Sequence, residues 1–164
     1  MRVVCARDSE LRTVTRDSAT SDATNRAVVE RYFKAYPSDW ETMARLRHAD
    51  FVEDWPQSGE RIEGHENYRA IHENYPGGTP GLAIDRVVGT EDRLVMTPLF
   101  TPVRIVGMGD TFIVEARAGY AGGASNFVVT VVELKDGKVH RQRTYFAAPF
   151  EPPDWRSGWV TRIP

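Results

Sequence analysis

Cysteine is almost missing from this chain: Cys5 stands alone among 164 residues. A lone thiol excludes an internal disulfide and a thiolate metal cluster. It makes a reducing, cytoplasmic setting the default. Long apolar runs are missing too. No window approaches the ~18 apolar residues of a membrane-spanning helix, so no membrane partner is expected. The opening MRVVCARDSE has no apolar core and makes a poor signal peptide. An excess of either charge is also lacking, with 21 basic against 23 acidic residues and a net of −2. Nucleic acid is therefore not an expected partner.

What remains is enough for one domain. A chain of this length buries roughly two-thirds of its unfolded surface, which leaves room for a core and a small cavity. Residues 1–21 are rich in Arg, Ser, Thr and Asp without a sustained period. They read as an arm outside the core, of a composition that favours mobility. The domain proper then runs over 22–164, with a tail at 149–164. Val28, Val29, Tyr32, Phe33 and Tyr36 recur at helical spacing and predict a helix over 23–36, stopped by Pro37. Ser38 and Glu41 form a capping box for a second helix with Trp40, Met43 and Leu46 inward. Phe51–Trp55 reads as a strand, and Pro56 with Ser58-Gly59 as a turn. A third helix is expected over about 65–75, ended by Pro76-Gly77-Gly78.

Everything beyond is β in character, with strands expected at 82–89, 93–106, 111–121, 125–135 and 138–147. Asp136-Gly137 is a strong hairpin signal, because this pair suits the turn that matches strand twist. Helices first and an antiparallel meander afterwards define an α+β order.

Three segments carry a family resemblance. Trp55–Gly64 resembles the first strand and turn of SnoaL-like domains in the nuclear transport factor 2-like superfamily. Asp136-Gly137-Lys138-Val139, running to Thr144-Tyr145-Phe146, is similar to the hairpin and last strand of the same group. Pro149–Arg156 looks like the tail of a bacterial subgroup of mostly unassigned activity. The resemblance covers roughly 23–160. It implies a cone-shaped, curved antiparallel sheet packed on three N-terminal helices and enclosing a pocket. It also implies a homodimer formed through the outer sheet face. Most enzymes of this superfamily use acid and base groups without a cofactor, and none is expected here. Other members bind without catalysis.

Two activities can be tested residue by residue. Limonene-type epoxide hydrolases carry an Asp just before the Tyr-Phe pair, where this chain has Thr144. They also use an Arg–Asp pair on a middle strand, and here Arg117 is followed by Gly119. That mechanism is not expected. Ketosteroid isomerase chemistry needs a carboxylate base and an acid partner for the oxyanion. Glu53 and Asp54 sit near suitable positions, but strand alternation lets only one face inward. Neither is assigned a role.

His65, Tyr68 and His72 lie at i, i+3 and i+7 on one helical face. Imidazole exchanges protons near neutral pH and a phenol polarises oxygen, which suits a dehydratase, isomerase or cyclase. A solvent-facing or structural role for the histidines at the third helix is the bland alternative. No metal is expected, since His65 and His72 lack the i, i+4 spacing that grips one ion. Glu115 and Arg117 share one strand face: toward a cavity they make an acid beside a clamp, toward solvent an ordinary surface pair. The expected catalytic set is His65, His72, Tyr68 and Glu115, and the expected ligand-binding set Tyr32, Trp55, Arg117, Asn126, Thr144 and Tyr145. The leading expectation is a cofactor-independent acid–base enzyme acting on a small apolar metabolite. A non-catalytic binding module stands second, and a dimerisation domain with a filled interior third.

Overall fold

A computed structural model describes residues 16–76, 100–120 and 125–162. Helix α1 (Arg16–Ala35) and helix α2 (Trp40–Leu46) lead into strand β1 (Arg47–Trp55), strand β2 (Glu60–Glu63) and helix α3 (Gly64–Glu73). Strands β3 (Phe100–Met108), β4 (Thr111–Gly119), β5 (Ser125–Lys135) and β6 (Lys138–Ala147) follow, and a 3₁₀ turn at Asp154–Trp159 closes the described chain. The strand expected at 82–89, the start of that at 93–106 and the last residue of that at 111–121 lie outside the described residues.

The six strands form one curved, unclosed sheet in the order β2-β1-β6-β5-β4-β3. All neighbours are antiparallel except β1 and β6, which run parallel. That pairing brings Glu53 opposite Gln142 although they are far apart in sequence. Register shifts in the β1–β6, β3–β4 and β5–β6 pairs bend the sheet at three places. At the β5–β6 turn, Asp136 (φ 53°) and Gly137 (φ 69°) adopt the left-handed backbone that the Asp-Gly pair predicts.

The concave face holds the core. Phe112, Val114 and Ala116 of β4 meet Val128 and Val132 of β5, and Val29, Tyr32, Phe33 and Met43 close over them from the helices. The predicted inward faces of the first two helices are therefore the observed ones, with Trp40 and Leu46 packed at the edge of the cluster.

Three boundaries differ from expectation. Helix α1 begins at Arg16, inside the segment read as an arm. Its early turns carry no apolar period because their anchors are polar: Asp22 accepts the Gly109 N–H (2.5 Å), and Asn25 donates to Gly109 O (3.0 Å) and Asp110 Oδ1 (2.8 Å). The second helix is capped by Asp39, which accepts from the Thr42 N–H at 2.9 Å, and not by Ser38. Strand β2 fills the interval between the Pro56–Gly59 turn and the third helix, where no strand was expected. Only Ile62 of its four residues is buried, so no hydrophobic alternation marks it.

Candidate functional site

A cavity of about 380 Å³ opens between α1, α3 and the concave face of β1, β4, β5 and β6. Its floor is polar and belongs to the sheet: Glu53, Gln142, Thr144 and Thr130. Phe33, Tyr36, Tyr68 and His72 wall it from the helices, and Trp55, Phe146, Ile71, Tyr75 and Tyr120 make the remaining, mostly apolar surface. Apolar walls with a few convergent polar groups are the usual build of a small-molecule site.

Glu53 is the chemical centre of the floor. Phe51, Glu53 and Trp55 share one phase of β1, so the carboxyl points inward between two aromatic residues. It is 4% exposed. Thr144 donates its hydroxyl to Oε1 at 2.6 Å. That spends the Thr144 proton, so Thr130, 3.2 Å away, must be the donor to Thr144. Oε2 has no hydrogen-bond partner. The Trp55 indole N–H is likewise unpartnered. It lies near enough to favour the Glu53 carboxylate without closing a hydrogen bond. Burial dominates and raises the Glu53 pKa above the ordinary carboxylate range, against the opposing pull of Thr144, Trp55 and the Arg47 charge. The carboxyl thus keeps its proton to higher pH than a surface glutamate, and Oε2 is the oxygen left to carry it.

His72 faces the same space from α3. Its Nδ1–H donates to the Tyr68 carbonyl at 2.7 Å, which leaves the Nε2 lone pair as the acceptor. The ring stacks on Tyr68 at 4.2 Å and meets Tyr36 edge-on at 5.3 Å. Burial lowers its pKa, with the Tyr68 carbonyl pulling the other way. A neutral imidazole is the favoured form. The Tyr36 and Tyr68 hydroxyls, pushed up by burial, stay protonated.

Beneath the floor sits a buried cation. Arg47, 4% exposed, stacks its guanidinium 3.7 Å from the Tyr68 ring centre and 4.1 Å from that of Phe51. Nε donates to the Tyr32 hydroxyl at 2.9 Å and Nη2 donates to the same oxygen, while Nη1 donates to His65 Nδ1 at 2.7 Å. Because a guanidinium has no acceptor, His65 must be neutral with its proton on Nε2. Its pKa is lowered by partial burial and by the Arg47 charge. Tyr32 passes its own proton to Gln142 Oε1 at 2.7 Å; burial pushes this phenol up to about 12.

Four of the residues expected from the sequence line the cavity: His72, Tyr68, Trp55 and Thr144. Tyr32 and His65 belong instead to the Arg47 network below it. Asn126 sits beside Tyr120 at the start of β5, next to the cavity's rim. Glu115, Arg117 and Tyr145, expected at the site, do not line the cavity. Val114, Ala116 and Thr144 take the inward phase of their strands, so these three side chains emerge on the convex face. There Arg117 lies over the Phe127 ring at 4.8 Å. Sequence reasoning missed Glu53, Gln142 and Arg47. Phe51 and Trp55, flanking Glu53 two residues either side, were the available signal for its inward phase. Among the described residues no cluster of three His, Cys, Asp or Glu side chains is placed to hold a metal ion. No described helix is long and apolar enough to cross a membrane.

A curved sheet packed on helices over an acid-floored pocket defines the class of protein. No family model and no curated protein matches the chain. Solved structures do. An NTF-2 like protein of unknown function from Burkholderia xenovorans LB400 is 31% identical, with a TM-score of 0.67 over 87% of this chain and 97% of that one. A candidate ketosteroid isomerase from Kribbella flavida DSM 17836 has the same TM-score, 0.67, at 24% identity over 88% and 93%. An epoxide hydrolase-like protein of M. tuberculosis shares the fold alone, at 19% identity and a TM-score of 0.55 over 76% and 84%. The chain belongs to the nuclear transport factor 2-like superfamily.

Proposed function

We propose that the protein is a cofactor-independent enzyme that moves protons on a small, largely apolar metabolite, as a cyclase, dehydratase or isomerase does. The observation that carries this is Glu53: a buried carboxyl on the cavity floor with one oxygen fixed by Thr144 and the other unpartnered. Neutral His72 supplies the complementary base through Nε2. In the reaction, a substrate C–H bond breaks and its proton goes to His72 Nε2. The electron pair shifts toward an oxygen of the substrate, and Glu53 Oε2 gives that oxygen its proton. Reversal at another carbon isomerises the molecule; a β-hydroxyl that takes the proton held by His72 leaves as water, while the enol returns its proton to Glu53, and this dehydrates it. This moves the acid role from Glu115 to Glu53 and keeps His72 and Tyr68 at the site. The Kribbella flavida relative, a candidate ketosteroid isomerase, is compatible in chemistry class. The single cysteine supports a reducing, cytoplasmic setting.

The convex face supports a homodimer. Ile113, Phe127, Val129 and Tyr145 are each more than a third exposed and adjacent across β4, β5 and β6. Glu115 and Arg117 lie within this patch, so we assign them to the subunit contact and not to catalysis.

The test needs no prior substrate. A metabolite extract is incubated with protein in D₂O and followed by mass spectrometry, with Glu53→Gln and His72→Phe alongside. A metabolite that gains deuterium or changes mass with wild type, and not with either variant, supports the enzyme. A metabolite that binds unchanged supports the binding module instead.

A further inference from the structure

Gln142 is one of the most enclosed polar side chains of the cavity floor, at 2% exposure, and the reading above gives it no task. An amide can present either its oxygen or its nitrogen, and the two look alike until the surrounding donors are counted. Here the count decides. Arg47 can only donate, and it donates twice to the Tyr32 oxygen, through Nε and Nη2. Both lone pairs of that oxygen are then occupied. The single Tyr32 proton must go outward, and it goes to Gln142. The amide atom facing Tyr32 is therefore Oε1, and the other arm of the fork, the Nε2 group with its two protons, is turned away from Tyr32. Gln142 also lines the cavity, so the arm turned away from Tyr32 is the one free to face it. On the neighbouring strand, Glu53 is the Cα partner of Gln142.

We propose that Gln142 Nε2 and the Glu53 carboxyl, through Oε2, form a two-donor site for one carbonyl oxygen, and that Arg47 acts through Tyr32 to lock the amide in its donating orientation. A carbonyl oxygen has two lone pairs and no proton, so it satisfies both donors. A hydroxyl also accepts from both donors, but its own proton must then be turned off the floor toward His72 Nε2. An ammonium group would meet two donors and be repelled. Of the reactions open to the pocket, this favours those that pass through an enol or enolate. The substrate class is a small apolar ketone, enone or ester, with its oxygen on the sheet floor and its carbon skeleton against the aromatic walls. Gln142 is a binding residue in this account, and Tyr32 and Arg47 are positioning residues. The inference rests on the acid–base reading for Glu53, but the Gln142 donor can be tested apart from it.

The chain has two glutamines, Gln57 and Gln142. Selective [¹⁵N]glutamine labelling therefore gives two side-chain amide pairs, and Gln57→Asn assigns them. The protein is titrated with α-tetralone and, separately, with tetralin, which has the same skeleton without the oxygen. The ketone is expected to bind about 3- to 10-fold more tightly, the worth of one net hydrogen bond. The Gln142 amide signals are expected to move downfield with the ketone and not with the hydrocarbon. Tyr32→Phe, which frees the amide to turn, is expected to shrink both the preference and the shift. Equal affinity for the two probes, binding of neither, or an unresponsive Gln142 amide overturns the proposal; the amide readout uses the wild-type fold and does not depend on any variant's stability. Deuterium uptake at the tetralone α-carbon in the same D₂O sample reports on Glu53 and His72 separately. A ketone-specific amide shift without uptake upholds the donor site and sinks the acid–base reading. Uptake with an unresponsive amide does the reverse.

Discussion

Replacing Tyr32 by Phe removes one oxygen and exposes how the pocket floor is held up. In the native protein that oxygen receives two guanidinium N–H bonds from Arg47 and sends one bond to Gln142. Tyr32 is 1% exposed and Arg47 4%, so water cannot easily replace what is lost. The ring itself keeps its packing, so the loss is electrostatic. Two hydrogen bonds from a charged group and one neutral bond have a gross worth of several kcal/mol, at about 1.5–3 each for the charged pair and about 1 for the other. His65 and the rings of Phe51, Tyr68 and position 32 itself still hold the guanidinium, and part of the loss relaxes. A net cost of about 3 kcal/mol is expected, the lower end for a buried charge deprived of a partner. For a chain of this size that lowers Tm by about 6–12 °C. Arg47→Met alone also destabilises, but Arg47→Met combined with Tyr32→Phe leaves neither a buried cation nor its orphaned hydroxyl. The double variant should be at least about 1.5 kcal/mol more stable than the sum of the singles. Urea unfolding of the four proteins measures this. A Tyr32→Phe loss below about 1 kcal/mol, or additivity in the cycle, would refute the reasoning.

Other consequences follow from the same geometry. Because burial raises the Glu53 pKa above its unfolded value near 4.5, the native protein holds a proton that the unfolded chain releases as pH rises. Stability is lost as pH climbs from 4.5 through the folded pKa, and Glu53→Gln should match wild type at pH 4 and exceed it progressively above, as paired urea titrations at several pH values would read. His65 and His72 act in the opposite direction: with pKa values lowered from 6.5, they contribute stability above pH 6.5 that is lost as pH falls through their folded values. His65→Asn, which still offers Arg47 an acceptor, should flatten part of that acid-side decline. Gly107 has φ 136°, and a Cβ there would lie 2.3 Å from Thr111 O and 2.7 Å from Phe112 Cα. Gly107→Ala should therefore destabilise by about 3 kcal/mol or more, or fail to fold. Val129→Arg on the convex face should yield a monomer in sedimentation analysis while leaving the pocket's ligand binding intact.

The elements that could be read from the sequence are those whose signal is local. Val28, Val29, Tyr32 and Phe33 share one helical stripe, and Asp136-Gly137 marks its hairpin within two residues. The inward phase of β4 was legible from Val114, Ala116 and Ala118, and it was enough to send Glu115 and Arg117 outward once the helices were known to lie on that side. What was not legible depends on long-range pairing. Nothing near Gln142 announces that it will sit opposite Glu53, because a parallel β1–β6 pair joins distant segments. Nothing near Arg47 announces burial, since arginine is rarely enclosed without a carboxylate and here aromatic faces and a phenol replace one. Helix α1 reaches back to Arg16 through polar anchors that leave no hydrophobic period. His72 was placed by spacing alone, but its role as an acceptor follows only from its bond to the Tyr68 carbonyl.

The central claim is that the pocket is built around a carboxyl that keeps its proton. Direct titration of Glu53 by ¹³C NMR, with glutamate labelled at the side-chain carboxyl carbon and assigned through Glu53→Gln, tests this most directly. The account predicts one carboxyl signal that titrates clearly above the ordinary glutamate range and that disappears in the variant. A Glu53 signal that titrates within the ordinary glutamate range, or below it, would contradict it.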